Sequence, residues 1–314
     1  MTSPLRLSTV ILPIHRWHDG GRARWQRAEE LGFHAAYTYD HLAWRSFRDG
    51  PWFGAVPTLT AAAAATSRLR LGTLVTSPNF RHPVTLAKEL ITLDDVSDGR
   101  ITLGIGAGGT GFDATTLRAP DAEPWTPRER ADRFAEFVTL LDRLLREPAD
   151  VSFAGDFYTA TEARNLPGCV QRERLPFAVA ATGPRGLRLA ARHGQAWVTT
   201  GNPKLYAEGT PEESYAALRG QVDGLAKACA ESGRDVRELG KVLLTGFTPD
   251  FHPVHRSGRR PIDSLDGFVD FAGRHAELGF DEIVVHWPIP DSDFAADEKL
   301  FERIATEAAG QLGR

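Results

Sequence analysis

Eight short runs rich in Val, Ile, Leu and Ala recur along this chain, each followed by a longer stretch with helical spacing. That alternation limits the fold more than any other feature. The runs are 7–12 (LSTVIL), 35–40 (AAYTYD), 69–76 (LRLGTLVT), 101–107 (ITLGIGA), 176–182 (PFAVAAT), 196–200 (AWVTT), 241–247 (KVLLTGF) and 282–287 (EIVVHW). They lack clean apolar–polar alternation, as strands do when both faces of a parallel sheet are covered. Amphipathic stretches lie at 21–31, 57–66, 83–96, 127–146, 184–193, 211–232, 264–278 and 296–312. Pro127 after Thr126, the Thr210-Pro211-Glu212-Glu213 start and Ser264 are helix-opening signals. Gly32, Gly99, Gly194, Gly233 and Gly279 fall where helices are expected to stop.

Eight strands in strict alternation with eight helices is the count of an α/β (β/α)8 TIM barrel, and a doubly wound open sheet is the alternative. Residues 1–314 read as one such domain with insertions near 110–127, 150–175 and 250–263. The second contains a candidate hairpin, VSFAGDFYTA. Long loops of a barrel are expected at its C-terminal face, where they form lids.

Composition narrows the partners. Hydrophobic residues make up 42% and charged residues 25%, ordinary for a globular protein. The net charge of −4 argues against nucleic acid or an anionic membrane as partner, since both need clustered positive charge. Five lysines against thirty-two arginines read as the codon bias of a GC-rich bacterial genome. Cys169 and Cys229 form neither a disulfide framework nor a metal motif, which fits a reducing cytoplasm. The first apolar run is interrupted by Pro13, is too short to span a bilayer and lacks a cleavage signature, so it reads as a strand.

In such a frame the stretch HAAYTYDHLAW (34–44) places Asp40, His41 and Trp44 at the carboxyl end of the second strand. An imidazole titrates near neutrality, and a neighbouring carboxylate fixes its tautomer for proton transfer. Trp44 offers a flat stacking face. A helix cap, a loop histidine and a core indole are the alternative. ATGPRGLRLAARHG (181–194) is a glycine turn opening a helix, with Arg185 and Arg188 in its first turns. Free amides and the helix dipole make that start an anion site; a tight turn with solvated arginines is the plainer possibility. LGIGAGG (103–109) withholds side chains at a strand end, so that a flat ligand can approach the backbone, or it is merely a glycine-rich exit. It fails as a dinucleotide fingerprint, because no helix or spaced acid follows.

Pro78 and Pro83 bracket a loop with Asn79, Arg81 and His82. Asp94, Asp95 and Asp98 imitate a metal cluster, but Asp98-Gly99 reads as a helix-ending turn, and HPVH (252–255) is an equally poor site; no metal is expected. There is no nucleophile elbow. His286-Trp287-Pro288 closes the last strand and lines a pocket or packs at the strand end.

At these residues the sequence resembles the luciferase-like flavin monooxygenase superfamily, which includes FMN-dependent monooxygenases and coenzyme F-420 (deazaflavin) dependent oxidoreductases. RLRLGTLVTSPNFRHPVTLAKELITLDDVSDGRITLGIGAG carries most of the likeness. AEELGFHAAYTYDHL, AATGPRGLRLAARHGQAWVTTG and LGFDEIVVHWP add to it. The resemblance implies a flavin-type ring at the carboxyl ends of the barrel strands. Asp40-His41 with Trp44 is similar to the deazaflavin branch, in which the histidine handles the substrate proton and the aspartate contacts the cofactor; the FMN branch more often has Glu-His-His. Leu74, Val75, Thr76 and Ser77 correspond to a strand bulge behind the ring that often holds a non-prolyl cis peptide. Ala107 and Gly108 match backbone positions beside the ring, and Thr182, Gly183, Pro184, Arg185, Gly186 and Leu187 the phosphate turn. Gly109 departs from the pattern: sugar-phosphate dehydrogenases of the deazaflavin branch have a catalytic glutamate there, which puts a sugar phosphate substrate in doubt.

The expectation is an oxidoreductase exchanging a hydride between F-420 and a small organic substrate, with Asp40 orienting His41. Arg45, Arg48, Arg81 and Arg185 would meet anionic tail groups, while Arg81, Thr200, His286 and Trp287 are substrate candidates. An FMNH2-dependent two-component monooxygenase is the alternative; a hydrolase or lyase acting on a phosphorylated substrate, or a non-catalytic flavin binder, is more remote. A separate flavin or F-420 reductase and a homodimer are the implied partners. Insertions 45–56, 110–127 and 250–263, with Phe47, Trp52, Phe53, Phe112 and Trp125, point to a largely apolar pocket.

Overall fold

The computed structural model describes residues 5–119, 121–202, 205, 209–245, 264–308 and 311. The barrel strands are β1 (Arg6–Val10), β2 (Ala35–Thr38), β3 (Arg70–Thr76), β4 (Ile101–Gly106), β7 (Phe177–Ala180), β8 (Ala196–Thr199), β9 (Gly240–Leu244) and β10 (Glu282–His286). They pair in parallel and close in the order β1-β10-β9-β8-β7-β4-β3-β2. The closed barrel replaces the open-sheet alternative. All eight apolar runs supply a barrel strand, each shorter than its run; Gly246 and Phe247 lie outside the described residues.

Helices α1 (Arg22–Glu30), α2 (Ala55–Ala65), α3 (Pro83–Val96), α4 (Pro127–Arg146), α5 (Pro184–His193), α6 (Pro211–Glu231), α7 (Leu265–Glu277) and α8 (Glu298–Arg303) surround it. Their starts follow the local chemistry. Thr126 and Thr210 each form a capping box with the glutamate three residues on, followed by a first-turn proline. Ser264 Oγ accepts from Gly267 N at 3.0 Å. Along α4, Phe134, Phe137, Val138, Leu141, Leu144 and Leu145 form one buried stripe against the barrel. Burying each contributes roughly 1.5–3 kcal/mol. Gly32, Gly99, Gly233 and Gly279 end helices with positive φ, whereas Gly194 is extended.

A second apolar cluster uses every other residue of the strands and fills the barrel interior: Val10, Ala35, Tyr37, Leu74, Ala178, Val198, Val242 and Val284. Tyr37 crosses it to donate to Glu282 Oε1 at 3.0 Å. A Cβ on Gly72 would lie 2.2 Å from Thr102 O, and one on Gly104 only 2.0 Å from Thr73 O. Between Thr73 and Thr76 the register slips, and the Leu74–Val75 peptide is cis, the feature the resemblance implied for this bulge.

The insertions differ in origin. Residues 110–127 follow β4 and belong to the C-terminal face. Residues 150–175 instead connect α4 to β7, a helix-to-strand link, so they are not a C-terminal-face loop as expected. They form the antiparallel hairpin β5 (Val151–Ala154) and β6 (Thr159–Ala163). Its tip is tied to α4 by Glu136, which accepts from the amides of Asp156, Phe157 and Tyr158. The insertion expected at 250–263, with HPVH (252–255), lies outside the described residues. No helix among the described residues is long and apolar enough to cross a membrane.

Candidate active site

A cleft of about 950 Å³ opens at the carboxyl ends of the strands, bounded by the ends of β2, β3, β4, β7 and β8 and by the starts of α4 and α5. Its floor is glycine and small side chains. Gly106, Ala107 and Gly108 run along one wall, and Leu74, Val75 and Ser77 along the next. Gly108 has φ +77, and a Cβ there would meet Asn79 at 2.7 Å, so the close turn requires glycine. Asn79 Nδ2 donates to Gly109 O at 3.1 Å, and Arg130 Nη1 from α4 donates to Gly108 O at 2.9 Å. These two side chains, which line the cleft themselves, brace the glycine segment.

At one end stand His41 and Trp44, ring centroids 4.5 Å apart. Tyr39 supports Trp44 edge-on at 5.2 Å, and Trp52 Nε1 donates to the His41 carbonyl at 2.8 Å. His41 Nδ1 lies 3.1 Å from both carboxylate oxygens of Asp113. Asp113 Oδ2 also accepts from Leu42 N at 2.5 Å and Ala43 N at 3.4 Å. Burial alone would raise the Asp113 pKa, but these bonds and the nearby imidazole outweigh it and hold the carboxyl below its usual range.

At the other end lies the start of α5. Gly183, its N-cap residue, offers no side-chain cap, and Thr182, Gly183, Pro184, Arg185 and Gly186 line the cleft. The uncapped first turn is a site for a phosphate or carboxylate. Arg185 Nη1 is paired with Asp132 at 2.6 Å. The glycine wall and the uncapped turn, with an imidazole between aromatic rings, fit a flat ring carrying a phosphorylated tail.

Of the residues proposed from sequence, the cleft brings together His41, Trp44, Leu74, Val75, Ser77, Ala107, Gly108, Thr182, Gly183, Pro184, Arg185, Gly186 and Thr200, with Arg45 at its rim. Others are placed elsewhere. Asp40, two residues past the end of β2, does not orient His41, and its buried carboxylate turns to the end of β3 and the loop that follows it. There it accepts from Arg81 Nη2 at 2.6 Å, Arg81 Nε at 3.0 Å and Thr76 Oγ1 at 2.8 Å. Arg81 and Thr76 are thereby committed to Asp40 rather than to a ligand. Leu187 points into the core beneath Gly224 of α6. His286 is buried, its Nδ1 donating to Thr245 O at 3.0 Å and its Nε2 accepting from Tyr39 Oη at 2.7 Å. Trp287 packs on Phe301, ring centroids 5.0 Å apart, and Arg48 is exposed.

Sequence reasoning missed Asp113, Arg130 and the bracing role of Asn79. Asp113 is 72 residues from His41, in a segment with no helix or strand periodicity to place it. Arg130 had a weak signal, one turn inside a capped helix that opens at the catalytic face.

Comparison with known proteins gives four further findings. The luciferase-like monooxygenase family model matches residues 19–240. The F-420-dependent glucose-6-phosphate dehydrogenase of Beutenbergia cavernae is 34% identical over 333 residues, covering 91% of this chain and 90% of that protein. The 4-hydroxyprotoasukamycin monooxygenase of Streptomyces nodosus subsp. asukaensis is 30% identical, covering 87% and 71% respectively. Among solved structures, the coenzyme F-420 dependent tetrahydromethanopterin reductase of Methanopyrus kandleri superposes with a TM-score of 0.77. It covers 99% of this chain and 100% of its own at 20% identity, a likeness of fold.

Proposed function

The chain belongs to the luciferase-like monooxygenase family, and we propose that it is an oxidoreductase that uses coenzyme F-420 with a small organic substrate. The observation that carries this reading is His41, held at the cleft end by Asp113 opposite a side-chain-free glycine wall. Gly106, Ala107, Gly108 and Val75 would hold the ring, and the turn 183–186 the phosphate. When bound, the cofactor supplies the hydride chemistry. His41 gives or takes the substrate proton, and Trp44 walls that end of the cleft against water.

Gly109 bears on the substrate. No side chain stands at the position of the second catalytic acid, so the reading assigns one proton-transfer group and does not extend to glucose 6-phosphate. The likeness to the Streptomyces monooxygenase supports a second reading, an FMNH2-dependent oxygenase fed by a flavin reductase. On the first reading an F-420 reductase takes that place. Both readings include a cytoplasmic homodimer built from one barrel domain per chain.

Titration of purified protein with F-420, FMN and FMNH2 tests the choice. Tight F-420 binding without oxygen uptake supports the first reading. Tight FMNH2 binding with oxygen consumption, and none for F-420, replaces it with the second.

A further inference from the structure

Among the described residues lining the cleft, the imidazole and the carboxylate are His41 and Asp113. The function proposed above uses the first for the substrate proton and the second only as the anchor that holds it in place. Yet Asp113 has only 3% of its side chain exposed and spends both oxygens on residues 41–43. A buried carboxylate with that set of donors is committed to them and does not reach a substrate itself.

We infer that Asp113 is the positioning residue of the proton step: it fixes neutral His41 as the Nδ1–H tautomer and leaves Nε2 as the nitrogen that exchanges the substrate proton. The inference rests on the reading that His41 handles that proton.

An ionised carboxylate only accepts hydrogen bonds, and Asp113 is held ionised by its partners. His41 Nδ1, 3.1 Å from both oxygens, must therefore carry the hydrogen. In a neutral imidazole that leaves the lone pair on Nε2. The same carboxylate also fixes the backbone from which the ring hangs, since Oδ2 takes the amides of Leu42 and Ala43. Trp44 and Trp52 restrict the ring and its carbonyl from two further sides.

Asp113 belongs to the helical turn Phe112–Thr115, which follows β4 and not β2. The proton site is thus assembled only while that turn is docked on the end of β2. This one contact replaces the role that sequence gave Asp40, whose carboxylate serves Arg81 and Thr76 instead.

The geometry also predicts what an isosteric change does. In Asp113→Asn the two backbone N–H donors keep the amide oxygen at the Oδ2 position, and the NH2 faces His41 Nδ1. Nδ1 then faces an N–H donor at the Oδ1 position and keeps only the amide oxygen at the Oδ2 position as an acceptor, so the Nδ1–H form loses its advantage and the Nε2–H form gains population. An amide in place of an orienting carboxylate is known to trap a catalytic histidine in the wrong tautomer.

The test is nitrogen NMR of the ligand-free, full-length protein with labelled histidines, His41→Gln providing the assignment. The unmodified protein should show His41, in its neutral form, as Nδ1–H, and folded Asp113→Asn should show a larger Nε2–H share. On any substrate found for the loaded enzyme, Asp113→Asn should lose about 10²-fold or more in kcat with little change in KM, while Asp113→Glu recovers part of it. Nε2–H in the unmodified protein overturns the inference whatever the variants do, and so does an Nδ1–H to Nε2–H ratio left unchanged in folded Asp113→Asn. The tautomer readout needs neither cofactor nor substrate. A chain that binds no F-420 but shifts its tautomer therefore refutes the proposed cofactor and leaves the tautomer assignment standing.

Discussion

Arg81 grips Asp40 with both arms of its guanidinium, Nη2 to Oδ1 at 2.6 Å and Nε to Oδ2 at 3.0 Å. The carboxylate is 2% exposed while the arginine side chain keeps 21% and a second partner, Glu89, at 3.4 Å. The two halves of the pair are therefore unequal. Removing the cation strands a buried anion, whereas removing the anion leaves a cation with water and Glu89 in reach. Arg81→Met should cost about 3 kcal/mol or more, Asp40→Asn less, and the double variant less than Arg81→Met alone. Urea unfolding midpoints check the order, and equal losses from the two single changes would contradict it.

The glycines of β4 and its exit separate packing from freedom. A Cβ on Gly104 would sit 2.0 Å from Thr73 O, a backbone atom that cannot swing away. Gly104→Ala should destabilise by about 3 kcal/mol, the scale of a forced backbone shift. Gly109 has no atom within 4 Å of its would-be Cβ and no positive φ. Gly109→Ala should stay within about 0.5 kcal/mol of the parent in the same melts.

Burial pushes His275 and His286 down to about 4. Both titrate near 6.5 when unfolded, so below that pH the unfolded chain binds protons that the folded chain refuses. Their contribution is complete above about pH 6.5, is lost as pH falls towards 4 and changes no further below it. Each histidine accounts for roughly 3 kcal/mol of the loss. His275→Phe removes one bond, Nδ1 to Phe271 O at 2.7 Å, and should shrink the difference between guanidinium melts at pH 7.5 and 4.5 by about 2–3 kcal/mol. An unaltered difference would show that His275 stays charged in the folded protein.

The barrel was legible because its signals are local. Strand runs, capped starts such as Thr126-Pro127 and glycine stops such as Gly279 each act within a few residues. The ends of the cleft were legible for the same reason, since His41 and the 182–186 turn both close a strand. What was illegible depends on side-chain direction and on contacts across the chain. Asp40 and His41 are adjacent in sequence but lie beyond the last residue of β2, and they take different partners, Arg81 and Asp113. The partner of His41 lies on the far side of β3 and β4 in a turn without periodicity. His286 was read as pocket-lining from its place at a strand end, but its ring turns to Tyr39 and Thr245. The hairpin at 151–163 was recognisable as a hairpin, whereas its face of origin followed only from knowing that α4 precedes it.

The start of α5 allows fold and ligand binding to be tested apart. Gly183 has φ −96, and no protein atom lies within 4 Å of its would-be Cβ, so a larger residue fits its backbone and meets no neighbour. The same position lines the cleft beside the uncapped first turn, where an anion would sit against the amides. A side chain there would extend into the space that the proposed function gives to the phosphate. Gly183→Val should therefore melt within about 2 °C of the parent, in keeping with a change of under 0.5 kcal/mol. It should weaken F-420 at least tenfold, about 1.4 kcal/mol, while leaving the affinity for the same deazaflavin without its phosphate unchanged. Binding isotherms for the two compounds make the comparison. Equal weakening of both would place the phosphate elsewhere and return the 182–186 turn to a structural role.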